Sequence, residues 1–255
     1  MNIKKKLEYH YKKFDISTIS PDPLEFLHRF NDPLNIEISG LISSIYAYGN
    51  VNMIIRVLNQ IHDIMGDNPY EFLKSFDIEQ FESEKVEYRF YNHQDFIALL
   101  RTLKIVYEEY GSLRYLFLLY YFADDKNIKN ALSFFSNNLL NIAQKYNADS
   151  NGLKFMFPDS LKGSTCKRMN LFLRWMVRND ELDFGIWKDI SADKLVIPVD
   201  THIAKICSHL GLTTKKNVSW SMAEEITDNL KKYCPNDPVK YDFALCHIGM
   251  RNLDF

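Results

Sequence analysis

Two short segments of the chain carry side chains that could take part in a reaction. The first reads L-K-G-S-T-C-K and ends at Lys167, and the second reads V-I-P-V-D-T-H and contains Asp200 and His202. A lysine amine is a nucleophile when it is neutral. A carboxylate can stabilise positive charge that develops on a reacting atom. The pair of Lys167 and Asp200 therefore suits covalent catalysis through an amine.

Asp200 also has a purely structural interpretation, as the residue that begins a helix. Aspartate is a favoured N-cap residue, and its charge suits the positive end of a helix. Gly211 lies just past the last apolar position, as is typical of a helix end. The apolar positions at helical spacing are Ile203, Ile206, Cys207 and Leu210. The two roles are compatible, because a cap would also keep the carboxylate ionised.

Residues 165–178 are predicted to form the helix that carries Lys167. From Lys162 to Arg178 there are five basic residues and no acidic one. On a helical wheel Lys167, Arg174 and Arg178 share one narrow sector. The opposite side carries Met169, Phe172, Leu173 and Met176. We expect a packed face and a cationic face, and the structural alternative is an amphipathic helix whose basic face is simply solvated.

The start of this helix could hold an anion. Gly163, Ser164 and Thr165 precede it and would leave backbone N–H groups available to a phosphate. Lys167 would lie in the first turn, where the helix dipole disfavours a cation, with Arg168 beside it. Both effects predict a pKa of Lys167 below its ordinary value and a larger neutral fraction of the amine.

Composition narrows the class of protein. Hydrophobic residues make up 46% of the 255 residues, which is ample for a core, while Gly is scarce at 9. The formal net charge is −2, so any basic surface for nucleic acid must be local. The four cysteines lack metal-ligand spacing and are expected to be reduced thiols. The charged N-terminus has no apolar signal region, and the longest apolar run, 115–123, is too short to span a bilayer. We expect a cytoplasmic protein without a membrane partner.

Helical periodicity occurs along almost the whole chain and predicts an all-α fold. Helices are expected at 24–30, 37–48, 51–65, 69–76, 94–109, 112–121, 127–146, 165–178, 200–210, 219–232 and 237–249. Only 86–91 and 195–199 could form strands, and both are short.

The segments around Lys167 and Asp200 together resemble the helix–hairpin–helix DNA glycosylases, especially the lyase-type branch that removes 8-oxoguanine. Gly163 matches the first glycine of the hairpin and Lys167 the nucleophilic lysine. Asp200 matches the aspartate of that family and His202 the histidine two residues later. The separation of 33 residues between Lys167 and Asp200 is similar to that in the archaeal 8-oxoguanine group.

The chain departs from the family pattern at two hairpin positions. Thr165 stands where the second hairpin glycine is expected, and Lys162 stands where a proline precedes the first. Glycine normally lets the backbone approach a phosphate closely, so Thr165 puts the phosphate geometry in doubt. Lys162 could contact phosphate directly instead. No iron–sulfur loop exists in this sequence.

Two weaker matches lie elsewhere in the chain. Asn50 occupies the place of a residue that fills the gap left by an extruded base, or it simply starts a helix. Asp242 lies near the family's base-contacting position, or it is the buried partner of a tyrosine. The segments at 173–178 and 237–245 also resemble an uncharacterised bacterial family.

The resemblance implies a base excision repair enzyme, a bifunctional DNA glycosylase and AP lyase, with Lys167 and Asp200 as catalytic residues. It implies double-stranded DNA with a damaged base as partner, no metal or cofactor, a monomer and a nucleoid-associated location. The implied DNA contacts are Asn50, Lys162, Gly163, Ser164, Thr165, Arg168, Arg174 and His202, and Asp242 would lie in the base pocket.

The implied fold has two helical lobes with a cleft between them. Residues 36–185 would form a central lobe with the hairpin, and residues 1–35 plus 186–255 a second lobe that carries Asp200. Two functional alternatives stay open at this point. One is a catalytically inactive helical module that binds DNA or RNA, and the other is an unrelated helical interaction protein.

Overall fold

The computed structural model describes residues 3–77, 85–148 and 150–250 and confirms the all-α class. Its α-helices are α1 (Ile3–Tyr11), α2 (Pro33–Tyr46), α3 (Val51–Met65), α4 (Pro69–Ser75), α5 (His93–Tyr110), α6 (Leu113–Leu118), α7 (Lys129–Gln144), α8 (Asn151–Met156), α9 (Lys167–Val177), α10 (Thr201–His209), α11 (Trp220–Lys231) and α12 (Asp242–Met250). Short 3₁₀ helices occur at Ile16–Thr18, Pro23–Arg29 and Ala192–Lys194.

The two segments with strand-like composition form no strand within these ranges. Residues 86–91 contain one isolated antiparallel bridge, between Tyr88 and Tyr91. Residues 195–199 run as an irregular, buried segment. The helices α1 and α8 were not expected, because α1 is too rich in lysine and α8 too short to give a clear apolar period.

Most helices begin at a polar side chain that accepts backbone N–H groups of the first turn. Asn50 does this for α3 and Asp200 for α10. Such caps satisfy donors that have no partner inside the helix, and they fix where each helix starts. The predicted N-cap role of Asp200 is therefore confirmed. Gly211, just past α10, adopts a left-handed φ of 69° that suits glycine at a helix end.

The chain divides into two compact units. Unit 1 comprises Met1–Ser20, Ala123–Asn130 and Asp159–Phe255, and unit 2 comprises Pro21–Phe122 and Ala131–Pro158. The division differs from the lobes expected from the sequence, because the segment that contains α9 groups with Asp200 in unit 1. Backbone bonds explain this grouping, since the chain after α9 folds back onto it. The amide of Phe184 donates to the Trp175 carbonyl, and that of Trp187 to the Met176 carbonyl.

Each unit has its own apolar core. In unit 1 the three tryptophans, Trp175, Trp187 and Trp220, are almost fully buried, as expected for packing residues. In unit 2 nearly every residue of α2 is buried. All four cysteines are free thiols. Within the described ranges, no helix is both long and apolar enough to cross a membrane.

A buried histidine in unit 2 gives stability a dependence on pH. His62 is 4% exposed, its Nε2 lies 2.8 Å from the Ser39 hydroxyl, and its Nδ1 lies 2.8 Å from the Leu58 carbonyl. Burial lowers the pKa of His62 to about 4. The unfolded chain binds this proton below about 6.5 and the folded chain only below about 4, so stability falls as pH drops through that window. Urea unfolding should show a loss of about 2 kcal/mol from this group between pH 7.5 and 5.

His62→Gln provides the control for this pH dependence. The variant cannot take up the proton, so its stability should change less over the same interval, by about the amount that His62 contributes. Equal pH dependence in the variant and the parent chain would show that His62 is not the responsible group.

Candidate active site

The approach to α9 is a tight turn held by backbone bonds. The amide of Gly163 donates to the Ser160 carbonyl at 3.2 Å, and Gly163 has a φ of 86° that a side chain would strain. Thr165, at the position of the second hairpin glycine, keeps an ordinary negative φ. Besides Gly163, the residue of this turn with a left-handed backbone is Cys166, with a φ of 48°. The two left-handed residues of the turn are therefore Gly163 and Cys166, and Thr165 lies between them.

Lys167 is the first residue of α9 and is fixed by the segment around it. Cys166, the N-cap, makes no side-chain cap bond. The Asn170 side chain donates to the Thr165 carbonyl at 2.9 Å and so ties the start of the helix to the turn. Lys167 therefore projects from a constrained position rather than from a flexible loop.

Asp200 is positioned by a buried approach and by its own helix. The preceding residues, 195–199, are buried, and the amide of Ile197 donates to the Thr227 hydroxyl at 3.1 Å. The Asp200 carboxylate accepts the amides of His202 and Ile203, both at 2.9 Å, through its Oδ1 atom. Its second oxygen, Oδ2, is left for another partner.

That partner is Lys167. Its Nζ lies 3.1 Å from Asp200 Oδ2, although 33 residues separate the two in sequence. Each side chain keeps about a quarter of its exposure, at 27% and 25%. The pair is therefore neither a fully solvated surface contact nor a sealed structural one. The two residues singled out by their chemistry form one site inside unit 1.

The electrostatics of the pair differ from the expectation for an isolated helix start. Burial opposes the charge on Lys167, but Asp200, with smaller contributions from Cys246 and Asp242, outweighs burial and raises the pKa of the amine above its ordinary value. The predicted lowered pKa is therefore wrong, because an adjacent full charge exceeds the effect of a helix dipole. Burial raises the pKa of Asp200, but Lys167, the Ile203 amide and His202 together outweigh burial, so the pKa of Asp200 lies below its ordinary value.

The expected cationic face of α9 is also corrected by the structure. Arg174 and Arg178 share the sector of Lys167, but they are only 3% and 5% exposed. Arg174 Nη1 lies 2.5 Å from Asp242 Oδ2, and its Nη2 lies 3.2 Å from Asp183 Oδ1. Both the solvated face and the phosphate contact proposed for Arg174 fail, because carboxylates from other elements cover it.

Arg178 extends this buried ion cluster. Its guanidinium binds three carboxylates, those of Asp180, Asp183 and Asp237. The Tyr11 hydroxyl also donates to Asp180, at 3.0 Å. These interactions join α1, the C-terminal end of α9 and the segment that leads into α12, and they form a buried support at the end of α9 opposite to Lys167.

Asp242 belongs to the same cluster and is not open to a base. It is 2% exposed and bound to Arg174, so neither of the two roles considered for it, base contact or partner of a tyrosine, describes its position. The neighbouring Tyr241 hydroxyl donates instead to Glu8 at 2.5 Å. Asp242 nevertheless contributes to raising the pKa of Lys167, so the cluster and the lysine are electrostatically linked.

Of the remaining residues of unit 1 expected to contact DNA, some are accessible to solvent and one is buried. Lys162 is the most exposed, with 81% of its side chain accessible and a distant acidic neighbour in Asp159, at 3.8 Å. His202 is exposed at the start of α10, and Ser164 with Thr165 is half-buried beside the turn. Arg168 is 6% exposed, so its contact with a phosphate is also not available from this position.

Asn50, in unit 2, is exposed and engaged in capping. Its Oδ1 accepts the amides of Asn52 at 3.0 Å and Met53 at 3.4 Å. The helix-start interpretation is therefore confirmed. A gap-filling role would require this side chain to leave the cap.

A feature of unit 2 that the sequence analysis missed is the turn at 88–91. Two backbone bonds of 2.8 Å close it between Tyr88 and Tyr91, and Arg89 has a left-handed φ of 52°. The Tyr48 hydroxyl donates to the Tyr88 carbonyl, and the Tyr88 hydroxyl donates back to the Tyr48 carbonyl at 2.6 Å. The turn presents Phe90 to solvent at 62% exposure. Its sequence, Y-R-F-Y, suggested a strand, and only the concentration of aromatic residues could have hinted at a surface role.

Metal ligation has no support in the part of the chain that is described. No group of three or more His, Cys, Asp and Glu side chains there is arranged to hold a metal ion. The site is instead built from an amine, a carboxylate and a buried ion cluster.

Comparison with known proteins gives one family match. The family model described as "Protein of unknown function (DUF2400)" matches residues 22–251, which is most of the chain. The chain belongs to the DUF2400 family. No curated protein and no solved structure matches it. The DUF2400 match includes Lys167, Asp200 and Phe90, so the site and the exposed turn both lie within the family region.

Proposed function

We propose that this DUF2400 protein is a DNA repair glycosylase with AP lyase activity that excises an oxidised purine, 8-oxoguanine. The observation that carries the proposal is the contact of 3.1 Å between Lys167 Nζ and Asp200 Oδ2 at a quarter-exposed site. It supports the resemblance of segments 161–167 and 196–202 to the lyase-type helix–hairpin–helix glycosylases. The turn at Gly163 and the start of α9 would serve as the hairpin.

The reaction would begin with extrusion of the damaged nucleotide from the duplex. The neutral amine of Lys167 attacks the anomeric carbon, a C–N bond forms, and the glycosidic bond breaks with its electron pair leaving on the base. Transfer of the amine proton to the departing base balances this step. Ring opening gives a Schiff base, and loss of a proton from the adjacent carbon then expels the 3′ phosphate and cuts the strand. Hydrolysis returns the free amine.

Asp200 would act on the charge that develops during base release. Burial alone would raise the pKa of its carboxylate, but Lys167, the Ile203 amide and His202 lower that pKa below its ordinary value, so the carboxylate is ionised. A fixed negative charge beside the sugar stabilises the cationic transition state. The same contact orients the lysine. The cap of α10 thus holds in place the carboxylate that would do the chemistry.

The raised pKa of Lys167 predicts how the rate depends on pH. The free enzyme holds the amine protonated through the neutral range, so kcat/KM for strand cleavage should rise about tenfold per pH unit from pH 6.5 to 9. Single-turnover cleavage at subsaturating protein measures this quantity. A plateau below pH 8 would mean that the group responsible has a pKa in that range, contrary to the position of Lys167 beside Asp200.

A second candidate is a helical module that binds nucleic acid without catalysis. One observation favours it, since a lysine whose pKa is raised is largely protonated and is then a phosphate ligand rather than a nucleophile. The two candidates differ in what Lys167→Gln does. In a binding module it lowers affinity only, whereas in a lyase it abolishes cleavage and leaves much of the binding intact.

The experiment is a nicking assay on a duplex with one 8-oxoguanine, run beside undamaged and abasic duplexes. The parent chain should cut the damaged and abasic strands, and Lys167→Gln should cut neither. Lys154→Gln, which changes an exposed lysine in unit 2, controls for the loss of one charge. Cutting by Lys167→Gln at the rate of the parent chain would refute the proposed chemistry.

A further inference from the structure

An open groove runs along the outer face of α10 in unit 1. It has a volume of about 510 Å³, and α10 contributes Thr201, Lys205 and Ser208 to it. The loop that follows α10 contributes Lys215 and Lys216. All three lysines are exposed, and none of them makes an ion pair in the described part of the chain.

The charged side chains that line the groove are all lysines. Thr201, Lys205 and Ser208 recur at helical spacing on one face, opposite the buried Ile203 and Cys207. From 201 to 223 the sequence has three lysines, two histidines and no acidic residue, in a chain whose net charge is −2. None of the described residues that line the groove is acidic or aromatic. Lysines and hydroxyls without aromatic side chains fit a phosphate backbone rather than unstacked bases.

The loop that carries Lys215 and Lys216 is held by hydrogen bonds to side chains of α11. The amide of Lys215 donates to the Thr213 hydroxyl at 3.1 Å, and that hydroxyl donates to Glu225 at 2.6 Å. The Thr214 hydroxyl donates to the other oxygen of Glu225 at 3.0 Å. The Asn229 side chain also holds the Leu212 carbonyl, at 2.8 Å. The lysines therefore project from an ordered segment.

The groove shares its framework with the candidate active site. It begins at Thr201, the residue after Asp200, and Lys205 lies about 6 Å further along α10 at the ordinary rise per residue. At the other end of the loop, the amide of Trp220 donates to the Gly163 carbonyl at 3.0 Å. The same loop thus connects to the turn that leads into Lys167.

We infer that this groove binds the phosphodiester backbone of duplex DNA, next to the nucleotide that reaches Lys167. The inference rests on the proposed function, because it takes DNA as the substrate, and it adds a strand-tracking surface to it. Lys205, Lys215 and Lys216 neutralise successive phosphates, and Thr201 and Ser208 offer hydroxyl donors to the same strand. Such contacts set register and affinity and carry no sequence preference.

The test compares two triple variants in duplex DNA binding over a range of salt concentrations. The first is Lys205→Gln/Lys215→Gln/Lys216→Gln. The second changes three exposed lysines of unit 1 that do not line the groove, Lys5, Lys13 and Lys188, to glutamine. The groove variant should bind about tenfold or more weakly at 0.1 M salt, with a salt slope smaller by about 0.9 for each phosphate that the variant no longer neutralises. The control variant should keep the parent slope, and both should keep the parent circular dichroism spectrum.

The outcomes separate this inference from the proposed function. If the parent chain does not cut damaged DNA but the groove variant shows the weaker binding and flatter slope, the groove stands and the glycosylase proposal falls. If the parent chain cuts and the groove variant binds with the parent affinity and slope, the groove inference is wrong. An equal loss of DNA affinity in the control variant also overturns it. The same holds if the groove variant loses affinity for single-stranded RNA of the same length but not for duplex DNA.

Discussion

Replacement of Asp200 by asparagine is expected to lower the rate of base release by about 10²–10³, the usual loss when one fixed electrostatic stabiliser is removed from a site. Asparagine caps a helix about as well as aspartate, so the variant keeps the bonds to the His202 and Ile203 amides. It loses the charge that faces Lys167 at 3.1 Å. Single-turnover base release from a duplex with one 8-oxoguanine measures the effect.

Two controls make this result specific to the carboxylate. The midpoint of urea unfolding should change little in Asp200→Asn, because exposed or part-exposed ion pairs contribute about 1 kcal/mol or less. Asp200→Ala removes the cap as well, so it should lose both activity and about 1 kcal/mol of stability. Full activity in Asp200→Asn would mean that the residue is only a helix cap.

Arg174→Met is expected to cost about 3–5 kcal/mol of unfolding free energy, because it leaves the buried carboxylate of Asp242 without its partner. Arg174 is 3% exposed and binds both Asp183 and Asp242. Methionine keeps an unbranched side chain in place of the aliphatic part of arginine, so the loss reflects mainly the removal of the guanidinium. Urea denaturation measures it.

Arg56→Met is the matched control, since Arg56 is exposed on α3 and the change there should stay within about 0.5 kcal/mol. The double variant Arg174→Met/Asp242→Asn should recover part of the loss, because it removes the charge that Arg174→Met leaves unpaired, whereas Asp183 still binds Arg178. Unfolding of Arg174→Met at the parent urea midpoint would contradict the support role of the cluster.

The local sequence pattern was sufficient to predict most of the helices. Helical periodicity and capping residues act within a few positions of each other, so α3 and α10 could be placed from the sequence with their caps at Asn50 and Asp200. The lobe boundaries were not accessible in the same way, because they depend on which distant segments bond to α9. The return of the chain at Phe184 and Trp187 decides that grouping.

Part of the candidate site could be predicted from the sequence, through the residue types and the resemblance of two segments to a known family. The wheel correctly placed Lys167 and Arg174 on one side of α9, but it could not show that Asp242, 68 residues further along, covers Arg174. For the same reason the pKa of Lys167 could not be obtained from the helix dipole alone, since the dominant opposing charge is Asp200. Long-range pairing of charges leaves no mark on local periodicity.

The most direct test of the central claim is borohydride trapping on a duplex with one 8-oxoguanine, followed by identification of the modified residue by mass spectrometry. The account predicts a covalent protein–DNA product attached at Lys167, formed on the damaged and abasic duplexes and absent with undamaged DNA and with Lys167→Gln. Attachment at another lysine, or no covalent product on any duplex, would contradict a Schiff-base mechanism at this site.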